Sequence, residues 1–497
     1  MYNLYLSLPT FLFSIFCYFY SLKSFKNNQQ NLALILIILG GLILRIYSAS
    51  DLFLHSWDER YHALVAKNLL QHPLLPTLYE HPVLDYNYQN WTSNHIWVHK
   101  QPFSLWMMSL SLHLFGINEW ALRIPSILFS TATIWLTYSI GKYFYDSKTG
   151  LLAAFFCSIN GLIIELTGGK IATDHVDICF LFLIALAIYC SIRFAETPKM
   201  VLNFSVGVCI AAAILTKWLP ALIVLPIWFL LVWSEKKLKF TQIIFHFLFL
   251  LLVIAALVFP WQYYIFQQFP KEAAWEYSFN VRHFTEVLDG MSGSYFYFVN
   301  QIRINYGDII YIPLIWFILK QQDSLKNSAI SIWIFIPLVF FSLAKTKMQG
   351  YILFIAPALF IVTAYFYFEF KNQNYAFLHP FLKKFISLLL LILPIRYSIE
   401  RLKPFELDNK NPQWAIDLKN LKTNTNENTI LFNCESPIEA MFYTNLTAYP
   451  QLPDQKLIDT LISKGKNIII NDKGDVSNEI KSLNNVQFIH LSSPNPK

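Results

Sequence analysis

Two carboxylates stand in the stretch HSWDERYH, residues 55–62, which follows a long apolar run. The pair, Asp58 and Glu59, is flanked by an arginine and two histidines. At a bilayer boundary such a carboxylate can take a proton from an acceptor hydroxyl or amine, or help to hold a divalent cation. An acidic pair near a helix start can also simply favour the helix dipole. We interpret the pair as a site of chemistry because it lies at such a boundary beside basic residues.

Two further motifs hold charged residues where apolar runs end. NHIWVHKQP contains His99 and Lys100, and a lysine on the same face as the acidic pair suits an anionic phosphate. GGKIATDHVD contains Asp174 and Asp177. Asp174 has a structural alternative as the N-cap of the next helix. Asp177, one turn later, is harder to explain structurally.

Later segments add cationic and phenolic side chains to the same inferred face. Each lysine has an ordinary alternative, since it can snorkel or contact lipid headgroups. Taken together, separate loops contribute both acids and cations. Phosphate-linked group transfer at a membrane surface needs carboxylates to activate a nucleophile and cations to hold a phosphate leaving group. The later candidates for substrate binding are Lys217, Arg282, His283, Lys345, Lys347 and Tyr351.

The composition predicts a membrane protein that would position these groups. Hydrophobic residues make up 55% of the 497 residues and charged residues only 14%, whereas soluble proteins carry about 25% charged residues. Apolar runs of about 20 residues, the length that crosses a bilayer, recur along the chain. We predict an all-α polytopic membrane protein with about 11–13 transmembrane helices and additional juxtamembrane helices. The candidate spans are 2–21, 31–49, 122–142, 150–167, 175–194, 200–216, 218–233, 240–260, 294–319, 328–344, 350–370 and 382–399.

The distribution of Lys and Arg predicts the orientation of these spans. Short loops on one side are rich in both residues, which places them in the cytoplasm. The outer side then receives residues 50–121, residues 261–293 and everything after 400. The basic turn AKTKMQG is the exception on the outer side, and such exceptions are often functional. Residues 102–116 are too short to span and predict a juxtamembrane or re-entrant helix. Residues 1–21 lack a preceding basic region, so we interpret them as a span and not a signal peptide.

The chain changes character after residue 400. Short β-like runs, TILFNC, NIIIND and VQFIHL, alternate with the helical stretch QKLIDTLISKG. This pattern predicts a small α/β domain over residues 401–497, outside the membrane, after a multi-span domain over residues 1–400. Five of the six cysteines lie in apolar runs and no CxxC pair exists, so the cysteines indicate no disulfide or metal site. The net charge of +7 reflects orientation rather than nucleic-acid binding.

The motifs resemble those of the C-type membrane glycosyltransferases, which include the protein O-mannosyltransferases and the bacterial lipid A aminoarabinose transferases. The resemblance covers about residues 40–370. Any one motif is a weak match, but five in the family's order are specific. They are WDERYHALVAKNLL, HKQPFSLWMMSLSLHLFGINEWALRIPS, ATDHVD, LTKWLPAL and SLAKTKMQGYILFIAPAL.

The resemblance implies transfer of a sugar, with inversion, from a polyprenyl-phosphate-sugar donor on the outer side of the membrane. It implies that Asp58 is the base that deprotonates the acceptor, that Glu59 assists it or helps to bind the acceptor, and that Asp174 is the second acidic residue. Asp177 is an alternative in register for that second position. Lys100 would hold the donor phosphate. The resemblance makes Arg282, Lys345, Lys347 and Tyr351 further candidates for binding the donor. The remaining predicted substrate-binding residues are Arg60, Tyr61, Asp177, Lys217 and His283.

The chain departs from the aminoarabinose transferases at two places. Those enzymes have one more residue between the acidic pair and the Arg-Tyr pair, which here is Arg60 and Tyr61. They also have an acidic residue where His99 stands. A divalent metal ion is therefore a candidate cofactor, with Asp58 and His99 as candidate ligands, and a metal-free site is the alternative.

We predict a glycosyltransferase of the bacterial inner membrane, with its active site and C-terminal domain on the periplasmic side. The acceptor would be lipid A, another cell-envelope glycan or a protein, and nucleic acid is not an expected partner. One alternative is a lipid-linked glycan transporter, which should carry ionisable residues in mid-span and often repeated halves. The other is a non-catalytic membrane scaffold that presents the C-terminal domain. The clustering of charges at one face favours the enzyme.

Overall fold

A computed structural model describes residues 2–320, 324–373, 379–406 and 409–494. Most of these residues are helical, and a small parallel sheet lies near the C-terminus. The α-helices are α1 (Tyr2–Lys26), α2 (Gln30–Ser48), α3 (Asp58–Asn68), α4 (Pro102–Phe115), α5 (Glu119–Phe144), α6 (Ser147–Ile159), α7 (Gly161–Thr167), α8 (Asp174–Glu196), α9 (Met200–Lys217), α10 (Val224–Glu235), α11 (Phe240–Gln268), α12 (Pro270–Thr285), α13 (Tyr297–Tyr306), α14 (Tyr311–Leu319), α15 (Leu325–Leu343), α16 (Ala356–Asn372), α17 (Pro380–Leu402), α18 (Gln413–Asn420), α19 (Pro437–Tyr443), α20 (Gln455–Ser463) and α21 (Asn478–Lys481). The 3₁₀ segments are Leu219–Ile223, Gln349–Ile355 and Leu421–Asn424, and the strands are β1 (Thr429–Phe432), β2 (Thr447–Ala448), β3 (Asn467–Asn471) and β4 (Val486–Ile489).

The predicted all-helical membrane architecture is confirmed, but fewer helices meet the requirements for a span than the apolar runs suggest. All of the candidate spans fall on helical structure. Among the described residues, six helices are long and apolar enough to cross a membrane. The number rises to eight if α6 with α7, bent by 52°, and α13 with α14, bent by 112°, each count as one span. Several of the remaining segments, α10 among them, are short.

The membrane part of the fold packs around α8, most of which is buried. Neighbouring helices α5 and α6 approach closely at Gly150, where a Cβ atom would lie 2.5 Å from the carbonyl oxygen of Tyr138. A side chain there would force the helices apart. Arg45 of α2 is also fully buried, and its guanidinium donates hydrogen bonds to the carbonyl oxygens of Gly41 at 2.9 Å and Ser158 at 3.0 Å. Backbone acceptors thereby satisfy a cation inside the bundle.

Two short helices lie between this bundle and the C-terminal part of the chain. The predicted short helix at 102–116 is present as α4, which begins at Pro102 and ends before Gly116 with φ +85°. Proline suits a first helical position, and glycine tolerates the left-handed conformation that ends a helix. The acidic pair begins the other helix, α3, with Asp58 as its first residue.

The C-terminal residues form the predicted α/β structure. The four parallel strands have the order β2-β1-β3-β4, and β1, β3 and β4 coincide with the three β-like runs. Their crossover connections carry helices, as parallel strands require. The two-residue strand β2 and the helix α19 were not predicted.

A single apolar cluster runs from α3 and α4 into the sheet. Ion pairs reinforce the same junction: Arg60 lies 3.4 Å from Glu439, and Lys410 lies 2.7 Å from Asp51. The loop and helix that carry the acidic pair are therefore packed on both sides, against the bundle and against the sheet. Buried members of the cluster include Leu64, Trp97, Met108, Leu431 and Phe442.

Candidate active site

Asp58 is held in place by a residue that is distant in sequence. Its Oδ2 atom accepts a hydrogen bond of 2.7 Å from the main-chain N–H of Thr173. Thr173 precedes α8 and has φ +68°, which turns its amide toward α3. Asp58 is only 7% exposed. Its other oxygen, Oδ1, makes no hydrogen bond to the part of the chain that the structure describes, so one oxygen remains for a ligand.

The charge state of Asp58 reflects its neighbours. Burial alone would raise the pKa of its carboxyl, but the positive charge of Lys100, then His62 and the Thr173 amide, bring the pKa below its ordinary value. Nearby opposite charges and hydrogen bonds to the charged form have this effect in general. Asp58 is therefore a carboxylate at neutral pH.

A cavity of about 600 Å³ opens at Asp58, and we call it the Asp58 cavity. Its lining combines polar groups with apolar side chains that are exposed, among them Leu219, Val281 and Phe340. A site that joins polar groups to exposed apolar surface suits a ligand with a charged head and a hydrocarbon tail. The polar lining includes Asp58, Lys100, Thr173, Lys217, His283 and Tyr351.

The two cavity lysines differ in their partners. Within the described ranges, Lys100 Nζ makes no hydrogen bond or ion pair, although the side chain is half-buried. Lys217, by contrast, is paired with Oδ1 of Asp177 and lies 5.0 Å from the centre of the Tyr351 ring. Asp177 is itself buried and does not line the cavity. Lys100 is therefore the lysine that is available to an anion.

Glu59 lies behind Asp58 and outside the cavity. Arg123 donates from Nε to Oε1 at 2.7 Å and from Nη2 to Oε2 at 3.0 Å. The main-chain N–H of His55 donates to Oε2 at 2.6 Å, and His175 Nε2 lies 3.1 Å from Oε1. Burial would raise the pKa of Glu59, but Arg123 and His55 hold it well below its ordinary range. Both oxygens are occupied, so Glu59 anchors the loop and is not free for an acceptor.

Asp174 is also buried away from the cavity. It is the first residue of α8, directly after the N-cap Thr173. Its Oδ1 and Oδ2 atoms lie 3.0 and 3.2 Å from Nδ1 of His62. His62 is fully buried, and its Nε2 atom has no hydrogen-bond partner among the described residues. This pair ties α8 to α3 one turn after Asp58.

Of the remaining predicted site residues, His99, His283 and Tyr351 line the cavity. Arg60 and Tyr61 face the C-terminal sheet, where Arg60 pairs with Glu439 and packs on the Tyr61 ring. The outlying basic residues have local partners. Arg282 pairs with Glu286 at 2.9 Å, Lys345 is exposed beside Tyr295, and Lys347 donates to the carbonyl oxygens of Phe341, Ser342 and Ala344.

The residues around Asp58 and His99, the predicted metal ligands, are an unsuitable set of donors for a metal ion. His99 Nδ1 is bonded to Glu276 at 3.0 Å, and its ring stacks on Trp91 at 4.7 Å. No group of three or more His, Cys, Asp or Glu able to hold a metal ion occurs in the described part of the chain. A divalent cation prefers about six oxygen ligands, and here Lys100 places a positive charge beside Asp58 instead. The residues present do not fit a divalent metal.

Several contributors to the site were not identified from the sequence. Arg123 and His175 were quoted only within motifs, and their contacts with Glu59 depend on the packing of α5 and α8 against α3. Trp57, Trp218 and Tyr277 line the cavity. Trp57 adjoins Asp58 in sequence, Trp218 adjoins Lys217, and Tyr277 lies in the predicted outer loop 261–293, so their positions in the sequence could have marked them as candidates.

Sequence and structure comparisons show which known proteins the chain resembles. Residues 99–264 match the family described as dolichyl-phosphate-mannose-protein mannosyltransferase. An undecaprenyl phosphate-alpha-4-amino-4-deoxy-L-arabinose arabinosyl transferase of Pseudomonas savastanoi pv. phaseolicola is 24% identical over 282 residues. The match covers 53% of this chain and 51% of that protein. Over about half of its length, the chain is therefore similar to transferases that use polyprenyl-phosphate-linked sugars.

Two other comparisons show how far along the chain the similarity extends. An uncharacterised protein of Aquifex aeolicus is 27% identical over 67% of this chain and 63% of its own length. The chain thus spans about half to two-thirds of the lengths of these two curated relatives. The crystal structure of ArnT from Cupriavidus metallidurans bound to undecaprenyl phosphate aligns with a TM-score of 0.62 and 14% identity, over 86% of this chain and 87% of that one. At this identity, the likeness shows a shared fold.

Proposed function

We propose that this protein transfers a sugar from a polyprenyl-phosphate donor to a cell-envelope acceptor, with Asp58 as the general base. One observation carries the proposal: Asp58 and Lys100, a lysine with no partner among the described residues, line the same cavity, whose lining also includes exposed apolar side chains. The base and the phosphate-binding cation of a single-displacement transfer would then act from one pocket. The family relationship and the undecaprenyl phosphate bound by ArnT support this class of donor.

The apolar wall supports a lipid-linked donor in particular. Leu219, Val281 and Phe340 are 62%, 67% and 48% exposed, so large apolar surface is open to a hydrocarbon chain. A polyprenyl chain would lie against these side chains while its phosphate reaches the ammonium group of Lys100. A charge-assisted contact of this type is stronger than a neutral hydrogen bond.

The proposed reaction is a single displacement with inversion. The acceptor oxygen or nitrogen forms a bond to the anomeric carbon, and the bond from that carbon to the phosphate oxygen breaks. Polyprenyl phosphate leaves with the electron pair, and Lys100 stabilises the charge that develops on it. The acceptor proton passes to Oδ1 of Asp58, the oxygen without a hydrogen bond to the described residues.

The electrostatics of the cavity make donor binding and base strength interdependent. The positive charge of Lys100 is the largest charge effect that lowers the pKa of Asp58. A donor phosphate at Lys100 would offset that charge, so the pKa of Asp58 would rise in the donor complex. A carboxylate with a higher pKa is a better proton acceptor. Asp58 would therefore be activated when the donor is in place.

The proposal also assigns a location and a range of acceptors. Loop charge supports an inner-membrane protein with its active site and C-terminal sheet on the periplasmic face. Lipid A, another envelope glycan and a protein remain the candidate acceptors. The sheet packs behind α3 and does not line the Asp58 cavity, so its proposed task is to support the helix that carries the base.

Mass spectrometry of lipid A, envelope glycan and glycoprotein fractions tests the function. A deletion strain should lose one sugar mass from one fraction, and wild-type protein should restore it. Asp58→Asn, expressed at the same level in membranes, should fail to restore it. Asp85→Asn is the matched control, because Asp85 is an exposed carboxylate on the same outer loop. Restoration by Asp58→Asn would show that Asp58 is not the base, and an unchanged deletion strain would contradict the transferase itself.

A further inference from the structure

The Asp58 cavity contains an unusual concentration of strained backbone. Four non-glycine residues that line it have positive φ: Trp57 (+74°), Thr173 (+68°), Trp218 (+66°) and Asp289 (+50°). Bulky residues rarely adopt this conformation, because the Cβ atom meets the backbone. Strain of this kind persists at functional sites, where the placement of a side chain matters more than its cost.

Two of these residues have an evident structural explanation. The conformation of Thr173 aims its N–H at Asp58. Trp218 packs its ring edge-to-face on Tyr277 at 4.6 Å, so its indole is part of the cavity wall. Trp57 has φ +74° and ψ −133°, and like Trp218 with ψ −154° it lies close to a region that is otherwise almost restricted to glycine.

The indole of Trp57 is not placed for packing. The residue is 49% exposed, and its ring makes no hydrogen bond or ring contact with the described part of the chain. It immediately precedes Asp58 and lines the same cavity. A glycine would adopt this backbone without strain, yet the chain has its largest aromatic side chain here. The unfavourable backbone therefore presents a free aromatic surface beside the proposed base.

We propose that Trp57 is a sugar-binding residue, whose indole stacks against the C–H face of a sugar ring in the Asp58 cavity. This inference rests on the proposed function and extends it to the group that is recognised. One face of a pyranose or furanose ring carries several C–H bonds, which pack on the electron-rich face of an indole. The Nε1–H group at the ring edge can also donate to a sugar hydroxyl. Aromatic walls with a few polar groups are typical of sites for small ligands.

The sugar ring could belong to the donor or to a glycan acceptor, and kinetics distinguish the two. Trp57→Gly and Trp57→Ala both remove the ring, but only glycine relieves the backbone strain. Both variants should raise one KM by about tenfold, a change of the size measured for aromatic pairs. A rise in the KM for undecaprenyl phosphate mannose or undecaprenyl phosphate aminoarabinose, whichever is used, identifies the transferred ring. A rise in the KM for the glycan acceptor identifies the acceptor ring. Trp57→Tyr should retain most of the affinity.

Stability measurements separate this role from a purely structural one. Trp57→Gly should unfold at a higher temperature than Trp57→Ala, since glycine tolerates positive φ. Lys236→Gly is the matched control, because Lys236 has φ +52° at an exposed helix end away from the cavity. Lys236→Gly should raise the unfolding temperature above that of the wild type, because it relieves the same kind of backbone strain, and it should leave both KM values unchanged. If well-folded Trp57→Gly keeps both KM values of the wild type, Trp57 does not bind sugar.

A measurement that does not need turnover keeps this inference distinct from the proposed function. In Asp58→Asn, which should bind substrates without transferring, oxidative labelling of Trp57 can be followed by mass spectrometry. A sugar-bearing undecaprenyl phosphate, or the glycan acceptor, should protect Trp57 more than undecaprenyl phosphate alone. Equal labelling under all conditions would overturn the sugar contact even where the wild type is an active transferase. Protection by sugar with a fully active Asp58→Asn would instead overturn the assignment of the base.

Discussion

The carboxylate of Asp58 accepts a 2.7 Å hydrogen bond from the main-chain N–H of Thr173, although 115 residues separate them in sequence. The bond joins the first residue of α3 to the residue that precedes α8. It occupies one carboxylate oxygen and leaves the other for a ligand in the Asp58 cavity. The bundle thus fixes the orientation of the proposed base before substrate binds, and such positioning is a large part of catalysis.

Lys100→Gln should weaken donor binding. The lysine lines the cavity without a protein partner among the described residues, so its charge is available to the donor phosphate. Loss of a charge-assisted hydrogen bond should raise the KM for the donor by about one to two orders of magnitude. Initial rates at varied donor concentration check this. Lys345→Gln is the control, since Lys345 is exposed outside the cavity, and an equal effect of both variants would argue against a specific phosphate contact.

The same substitution should shift the pH dependence of kcat/KM. Lys100 lowers the pKa of Asp58, so its removal raises that pKa. The protonated, inactive form of Asp58 would then persist to higher pH. The acid limb of kcat/KM, which reports the free enzyme, should therefore move to higher pH in Lys100→Gln than in the wild type. An acid limb that stays in place or moves down would show that Lys100 does not act on the base.

The sequence predicts the elements of this site better than their contacts. The apolar run at 175–194 predicts α8, and its structure, Asp174–Glu196, begins only one residue earlier. Asp58, Lys100 and Lys217 were likewise placed at helix ends, and all three line one cavity. Periodicity and charge locate such residues because membrane spans impose strong constraints on composition. The small C-terminal sheet was also predicted from local composition, since its strands are short apolar runs.

Long-range partners decide which of the acidic residues is accessible, and the sequence does not contain that information in any local pattern. Glu59 looks equivalent to Asp58 in the motif, yet it is enclosed by Arg123, 64 residues away, and His175, 116 residues away. Lys347 looks like an anion-binding residue, but it caps the end of α15. Both outcomes depend on where helices cross and end, which single-sequence patterns leave open.

Glu59→Gln should destabilise the protein far more than Asp58→Asn does. The substitution leaves the guanidinium of Arg123 buried without its bidentate carboxylate. Breaking a buried ion pair in this way costs about 3–5 kcal/mol of unfolding free energy. Thermal unfolding in detergent measures the difference. Glu286→Gln is the control, because its ion pair with Arg282 is half-exposed and should contribute less than about 1 kcal/mol. Equal stability of both variants would contradict the anchoring role of Glu59.

The stability of the wild type should also fall in acid through Glu59. Its folded-state pKa lies well below the ordinary value, with burial opposed by Arg123 and His55. A depressed carboxyl pKa contributes stability that is fully present above the unfolded pKa of about 4.3 and is lost as the pH falls toward the folded pKa. The difference in unfolding temperature between the wild type and Glu59→Gln should therefore narrow as the pH is lowered from 7 to 3. Asp85→Asn should instead run parallel to the wild type.

Tyr443→Phe should reveal how the C-terminal part of the chain supports the site. The Tyr443 hydroxyl accepts the main-chain N–H of Leu54 at 3.2 Å and donates to Glu119 at 2.7 Å. Loss of the hydroxyl leaves two buried groups without this partner, which should lower the free energy of unfolding by about 1–3 kcal/mol. Because Leu54 lies four residues before Asp58, kcat should also fall while the donor KM changes little. Tyr86→Phe, on an exposed tyrosine, should do neither. If Tyr443→Phe lowers stability but leaves kcat unchanged, the C-terminal part of the chain contributes to folding and not to the positioning of Asp58.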